Sequence, residues 1–528
     1  MADIRAKWIA GDPAVKEQIF QELTKVVSQN SNARVETHWA VPVPLSDENS
    51  RLTRSPDGAP IVLPRTPEVH ETRERNVRQD LACREYPFSD IGNSQRFETR
   101  KRNVARYCHA YHAWFIWDGK RWSKDLTGKS VELVKDVILR IADEAISRDF
   151  GAESEAHFKW AAKSQARPRI DAALYLAQST MAIEPRDLDA RSYLLNLPNG
   201  TLNLLTCELM EHNKNDFLTK IAGVEFKPGE TCPLWLQHLS LIFNGDRELI
   251  DAFQQVVGYT LLQDNPEQVM FILYGSGKNG KSKTIEVLSH VLAEYAINIA
   301  AETLMSKRID AGPRSDIARI SNSRLVSASE GESGSRLAES LVKSLTGGDI
   351  VTVRRLYENE IEFRPTAKIW YATNHRPIIQ GTDDAIWRRI WLIPFTTAIP
   401  EEKRDPDIAT KLLQEGSGIL NWALEGLRKY RKAGRLIQPE KVKVAVEEYR
   451  NDSDILKEFL DAWCEFKERG EIKRSDFYRT YTDWCDQNHE KPVGSKKFNA
   501  MIRERGVREK VDSAGCRVWF GISIRGRW

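Results

Sequence analysis

The 528-residue chain has no apolar run approaching the roughly 20 residues that cross a bilayer, and Met1-Ala2-Asp3-Ile4-Arg5 opens no signal-peptide core. No membrane partner is expected. Its seven cysteines, at 83, 108, 207, 232, 464, 485 and 516, are scattered, odd in number and never spaced C-x-x-C. That argues against a zinc ribbon and for a reducing compartment. Charge of one sign is also missing, since 78 basic residues face 75 acidic ones for a net of +3. Any nucleic-acid contact must therefore come from local clusters. No internal repeat is present.

The length exceeds what one core supports, so roughly three or four domains are expected. Residues 13–28 read as a short helix with Ile19, Phe20, Leu23, Val26 and Val27 on one side, and six prolines between 42 and 67 read as an extended linker. Order resumes near Ser89. Trp114 to Trp122 reads as two short strands around Asp118-Gly119. Helical spacing follows at Val131, Val134, Val137, Ile138 and Ile141, then a helix over Ile170–Gln178 and strands over Asn199–Thr206. The chain turns helical again from Pro233, alternates helix and strand to about Pro400, and is helical over Ile408–Leu413 and Ile419–Leu427. These shifts divide it into residues 1–85, 86–230, 231–400, 401–453 and 454–528.

Gly275-Ser276-Gly277-Lys278-Asn279-Gly280-Lys281-Ser282 follows the apolar run Val269–Tyr274 and precedes helical spacing at Ile285, Leu288, Val291, Leu292 and Tyr295. This is the pattern of a phosphate loop between a buried strand and a helix. Glycines let backbone N–H groups converge on phosphates, the lysine reaches the outer phosphates, and the serine hydroxyl can ligate Mg²⁺. ATP and Mg²⁺ are the expected ligands.

Two further buried strands end in polar groups. Arg324–Ser329 runs into Glu330, an acid placed to hold a metal shell and polarise water, or a solvated acid at a strand end. Lys368–Thr373 runs into Asn374, an amide able to sense a γ-phosphate, or a turn residue before His375-Arg376-Pro377. Arg388 and Arg389 sit within Ile386–Trp391, where apolar neighbours speak for an interior or an interface. Each is either a finger for a neighbouring subunit's phosphates or a partner of Asp383 or Asp384. Alternation over Ile350–Phe363 predicts a β-hairpin carrying Arg354, Arg355 and Tyr357, residue types that hold nucleic-acid phosphates and pack on sugar or base.

This array resembles the superfamily 3 helicases, in particular the phage and plasmid primase–helicases. Gly275–Ser282, Leu325–Glu330, Thr346-Gly-Gly-Asp349 with Arg354-Arg355-Leu-Tyr357, Trp370–Asn374, and Gly381-Thr-Asp-Asp with Ile386-Trp-Arg-Arg389 carry the resemblance. Upstream, Ser89–Phe97, Trp117–Trp122 and Asn199–Leu202 extend it, as does Ile419–Trp422 downstream. The resemblance implies an α/β, AAA+-type P-loop ATPase core with a helical N-terminal domain and a ring, usually a hexamer, moving on DNA in a bacterial or phage-infected cytoplasm. By motif position Lys281 binds phosphate, Ser282 and Glu330 serve Mg²⁺ and water, Asn374 is the sensor, and Arg388 or, by slight preference, Arg389 is the finger. Ser329 departs from the pattern, standing where many relatives carry a second acid. Larger relatives carry a primase. The residues before 89 show no paired Asp-x-Asp strand, so priming by this chain is not expected and a separate primase or polymerase is an expected partner.

Three helices starting at Ile455, Ser475 and Ser495, with a strand over Arg517–Ile524, look like a winged helix. From Lys491 onward ten basic residues face three acids, among them Lys496, Lys497 and Arg503, the candidate contacts to a DNA backbone. A protein-docking module is the alternative there. For the whole chain, an ATP-driven ring helicase stands beside an ATP-regulated replication initiator or loader with the same motifs, and a P-loop kinase fits less well.

Overall fold

In the computed structural model, which describes residues 76, 78–146, 152–306, 315–329, 334–354, 360–381, 383–488, 492–513 and 515–525, Ser89 accepts the Gly92 N–H at 3.1 Å. That bond satisfies an otherwise unpaired donor and starts helix α1 (Asp90–Lys101). The expected helix over 13–28 and the proline linker lie outside the described residues. The chain divides into two compact units, one running to Ala190 with His212–Lys220 added, the other comprising Arg191–Glu211 and Ile221 onward.

In the first unit α1 is followed by an antiparallel sheet of β1 (Ala105–Cys108), β2 (Ala113–Trp117) and β3 (Trp122–Lys124). The two strands predicted around Asp118-Gly119 are β2 and β3. Helices α2 (Lys129–Leu139), α3 (Ile141–Ile146), α4 (Ala152–Ser164) and α5 (Arg167–Thr180) complete it. Val134, Val137 and Ile138 of α2 bury against Phe97, Trp114 and Ala173, as their spacing requires. The unit thus combines helices with a small antiparallel sheet.

The second unit begins with β4 (Leu194–Leu197), β5 (Gly200–Asn203) and β6 (Glu208–Met210), then α6 (Pro233–Ile242) and α7 (Arg247–Thr260). The division expected at residue 230 is not where the units part. Leu195, Leu197, Leu202 and Leu204 are buried in one core with Trp235, Phe253 and Phe271, so that hairpin belongs with the later chain. Next come β7 (Met270–Tyr274), α8 (Lys281–Leu292), β8 (Ala296–Ala300), α9 (Ser315–Arg319) and β9 (Leu325–Ser329). Then follow α10 (Glu339–Gly347), the antiparallel pair β10 (Val351–Arg354) and β11 (Glu360–Phe363), β12 (Lys368–Thr373), α11 (Asp384–Trp387) and β13 (Ile390–Pro394). The five long strands form a parallel sheet in the order β13-β7-β12-β9-β8. β7, β9, β12 and β13 are buried on both faces, which is why they read as largely apolar runs, whereas the edge strand β8 is partly exposed.

Helices α12 (Ile408–Gln414) and α13 (Gly416–Ala433) share the core that holds β7, through Leu412, Ile419, Leu420, Leu424 and Leu427, so 401–453 is not a body of its own. After α14 (Glu440–Asp452), α15 (Ile455–Trp463) leads to β14 (Cys464–Lys473), α16 (Arg474–Gln487), α17 (Ser495–Glu504), β15 (Arg508–Val511) and β16 (Arg517–Ile524). The three strands pair antiparallel in the order β14-β16-β15 over a separate core of Phe459, Phe477, Tyr481, Phe498 and Trp519. The predicted helices and final strand are present, with two further strands.

Lys368 begins β12 fully buried, its ammonium donating to the carbonyls of Leu262 and Thr366 above the Tyr259 ring. Burial, with Arg324 alongside and Asp264 opposing, pushes it down from 10.5 to about 7. Between those values the unfolded chain holds the extra proton, so stability rises with pH through this window and the cost is greatest below 7. Lys368→Met should flatten the rise in thermal midpoint between pH 7 and pH 9.5. Parallel pH curves for variant and wild type would show that Lys368 does not titrate here.

Candidate nucleotide site

The carboxyl ends of β7, β9 and β12 lie side by side, where a parallel sheet leaves its helix-facing crevice. The phosphate loop follows β7. Gly275 is obligatory there, because a Cβ would lie 2.0 Å from the Phe395 carbonyl oxygen. Gly280 has φ +84° and faces Ile242 and His238, leaving no room for a side chain. Ser276, Gly277 and Lys278 are exposed, the last at φ +61°. The loop delivers the chain into α8 at Lys281, with the N-terminal N–H groups and dipole of that helix facing the crevice.

Lys281 is 5 % exposed, and its ammonium donates to Gly275 O at 2.6 Å, Asn279 Oδ1 at 2.9 Å and Asn374 Oδ1 at 3.1 Å. The loop lysine and the asparagine ending β12 are therefore brought together from 93 residues apart. Burial pulls the lysine below its ordinary range, yet three acceptors hold it in the crevice. Asn279 is 3 % exposed. Its amide donates to Phe395 O at 2.6 Å and Ser276 O at 3.2 Å, so its side chain pins the loop to the chain leaving β13. Composition in the loop signalled only its backbone; this role depends on a partner 116 residues away. Beneath Gly280, His238 is buried and pushed down to about 4, so the loop rests on a neutral ring.

Ser282 is exposed and lines a cavity of about 430 Å³ together with Glu286, Asn298, Ser327 and Ser329. Its hydroxyl is the described group that fits a divalent ion beside phosphates. Glu330 lies outside the described residues. Arg376, two residues beyond Asn374 and not singled out by sequence, sits between the Tyr274 and Tyr449 rings at 5.1 and 5.4 Å and pairs with Asp452 at 2.8 Å.

The arginine pair lies at the opposite end of the strands. Met270 N donates to Arg389 O at 2.7 Å at the amino end of β7, whereas the phosphate loop leaves its carboxyl end. Five strand residues separate them, roughly 16 Å. Asp383 pairs with Lys343 at 3.0 Å and Asp384 with Arg450 at 2.7 Å, so neither forms its ion pair with the arginines, although Asp349 and Asp383 act on Arg389 through space. Arg389 is 7 % exposed and donates to Thr346 Oγ1 at 3.2 Å, Ala385 O at 2.6 Å and Gln268 Oε1 at 3.2 Å. Arg388 is exposed, with one long contact to Gln268 at 3.5 Å. The slight preference for Arg389 as finger thus runs against the geometry.

Strands β10 and β11 form the expected hairpin, but Arg355, Tyr357 and the side chain of Arg354 lie outside the described residues. On α17, Lys496 is exposed, Lys497 donates to Gln380 at 3.0 Å, and Arg503 is held by Glu509 at 2.7 Å beside the Trp519 ring. Two of the three basic candidates there are engaged within the chain.

The family described as D5 N terminal like matches residues 94–244, and a family of unknown function matches 273–389. The protein named "Putative helicase L207/L206" of Acanthamoeba polyphaga mimivirus is 27% identical over 329 residues, covering 58% of this chain and 34% of that protein. Primase D5 of fowlpox virus is 29% identical over 159 residues, covering 29% and 20%. The chain thus spans about a fifth to two fifths of the length of the curated relatives it matches. The apo structure of the NrS-1 C-terminal region is 12% identical with a TM-score of 0.47, covering 79% of this chain and 96% of that one. No helix among the described residues is long and apolar enough to cross a membrane.

Proposed function

The chain belongs to the superfamily 3 primase–helicase family of phages and large DNA viruses, and from that premise we propose that it is an ATP-driven DNA helicase acting as a ring, usually a hexamer. The contact of Lys281 with Asn374 carries this reading, because it joins the phosphate loop to the sensor position of an AAA+-type core. The strand order, with the last strand beside the first and the second at the far edge, fits that core.

Mg²⁺·ATP, when bound, supplies the transferable phosphoryl group and the metal that offsets its charge. Lys281 exchanges its three acceptors for phosphate oxygens, which frees the Asn374 amide for the γ-phosphate or the attacking water. The Ser282 hydroxyl would hold the metal, and Glu330 would orient the water. Arg388 is the finger. Standing roughly 16 Å from its own phosphate loop, it serves the site of an adjoining copy, which makes the ring a requirement of the chemistry. Arg354, Arg355 and Tyr357 grip a single strand in the channel. The helix, strand, helix, helix, strand, strand succession from Ile455 fits a winged helix, and exposed Lys496 is its candidate contact to DNA.

The test is ATP-dependent displacement of a labelled strand from a fork, with hydrolysis measured with and without single-stranded DNA. Both activities are expected, and Arg354→Ala/Arg355→Ala should lose displacement. DNA-stimulated hydrolysis with no displacement on any fork would favour the initiator or loader.

A further inference from the structure

We propose that Thr346 and Glu339 are positioning residues that make the β10–β11 hairpin and the finger Arg388 one mechanical body, so that DNA held by the hairpin sets the finger at the neighbouring site. This rests on the ring-helicase reading above and names its coupling element.

Helix α10 is the common part. At its start, Glu339 Oε1 accepts two backbone N–H groups, Gln380 and Gly381, each at 2.8 Å. Those residues belong to the segment that joins the sensor Asn374 to the finger helix α11. Gly381 is needed for this approach, since a Cβ there would lie 2.3 Å from Glu339 Oε2. Trp387 of α11 closes the same loop by donating its indole N–H to Gly381 O at 2.9 Å. One turn along α10, Lys343 pairs with Asp383, whose carboxylate also accepts the Ile386 N–H at 3.1 Å and caps α11. Near its end, fully buried Thr346 accepts Arg389 Nε at 3.2 Å and donates to Val342 O at 2.7 Å. Three successive turns of α10 thus hold three points of the segment that ends at Arg388.

The same helix also carries the hairpin. It stops at Gly348, φ +78°, and the chain enters β10 three residues later. Val342 and Leu345 of α10 are buried in one cluster with Val353, with Val351 and Phe363 packed against it. The hairpin base also packs on α9, so its displacement must move α9 and the chain leading out of α10 or open the core they share, and interiors of this density shift as units. Thr346-Gly-Gly-Asp349 and the pair Gly381 and Asp383 are accordingly two faces of one joint.

The experiment measures ATP hydrolysis by the full chain, with and without a poly-thymidine oligonucleotide, for wild type, Thr346→Val, Thr346→Ser and Glu339→Ala. Valine keeps the volume of threonine but loses the acceptor for Arg389; serine keeps the acceptor. The ratio of DNA-stimulated to DNA-free turnover should fall about fivefold or more in Thr346→Val and Glu339→Ala, with the KM for ATP unchanged, and Thr346→Ser should restore it. Thermal midpoints separate a lost joint from a lost fold, and Gly381→Ala, which pushes the Glu339 carboxylate away, should reproduce the loss. An unchanged ratio, or DNA-free and DNA-bound rates falling by one common factor, overturns the proposal. A wild type that DNA does not stimulate at all instead overturns the helicase reading, and the joint with it.

Discussion

Arg388→Ala should lower turnover about a thousandfold while leaving nucleotide affinity nearly intact, because a finger acts on charge that develops only in the transition state. Arg389→Ala should fail differently. Its guanidinium is buried on Thr346, Ala385 and Gln268, so removal leaves those acceptors without their donor and costs stability, with activity lost through misplacement of its neighbour. Subunit mixing separates the two roles. Arg388→Ala copies mixed with copies lacking Lys281 should recover some turnover, since an intact phosphate loop can meet an intact finger where the two kinds adjoin. No recovery at any ratio, with each variant still assembling, would mean that Arg388 does not act across a boundary.

How far this was readable beforehand depended on how local each signal is. The phosphate loop is written in eight consecutive residues whose geometry depends on glycines and on the strand and helix at either side, so spacing alone puts Lys281 and Ser282 at the strand–loop–helix turn where they stand. The carboxyl ends of the central strands were equally legible, because continuous apolar runs such as residues 369–372 mark strands buried on both faces. The choice between Arg388 and Arg389 was not. It turns on Thr346 and Gln268, 43 and 121 residues distant, which decide which guanidinium is buried. The same holds for Lys497 and Arg503: a count of basic residues cannot tell that Gln380 and Glu509 engage them. The β4–β5 hairpin shows the limit for domains, since alternation declares that Leu195 and Leu202 are inward but not which core receives them. Asn279 was visible as a loop residue, whereas its grip on Phe395 O was not.

Lys281→Ala should reduce hydrolysis to about one hundredth or less, on the scale of removing one preorganised donor at a developing charge. The nucleotide-free fold should scarcely notice. In that state the ammonium is buried and its charge disfavoured, which offsets the loss of its bonds to Gly275, Asn279 and the exposed Asn374. The informative measurement is therefore the shift in thermal midpoint on adding Mg²⁺·ATP. A ligand at 100 times its Kd stabilises the folded state by about 2.7 kcal/mol, which wild type should show. The variant should not, because its phosphate loop has lost the charge that draws the outer phosphates. Asn374→Ala provides the contrast: it removes one of the lysine's acceptors and the sensing amide, so the midpoint shift should survive while turnover falls. If Lys281→Ala instead unfolded the apo chain and kept its turnover per folded molecule, the lysine would be a structural cation and the crevice at the end of β7 would not be the nucleotide site.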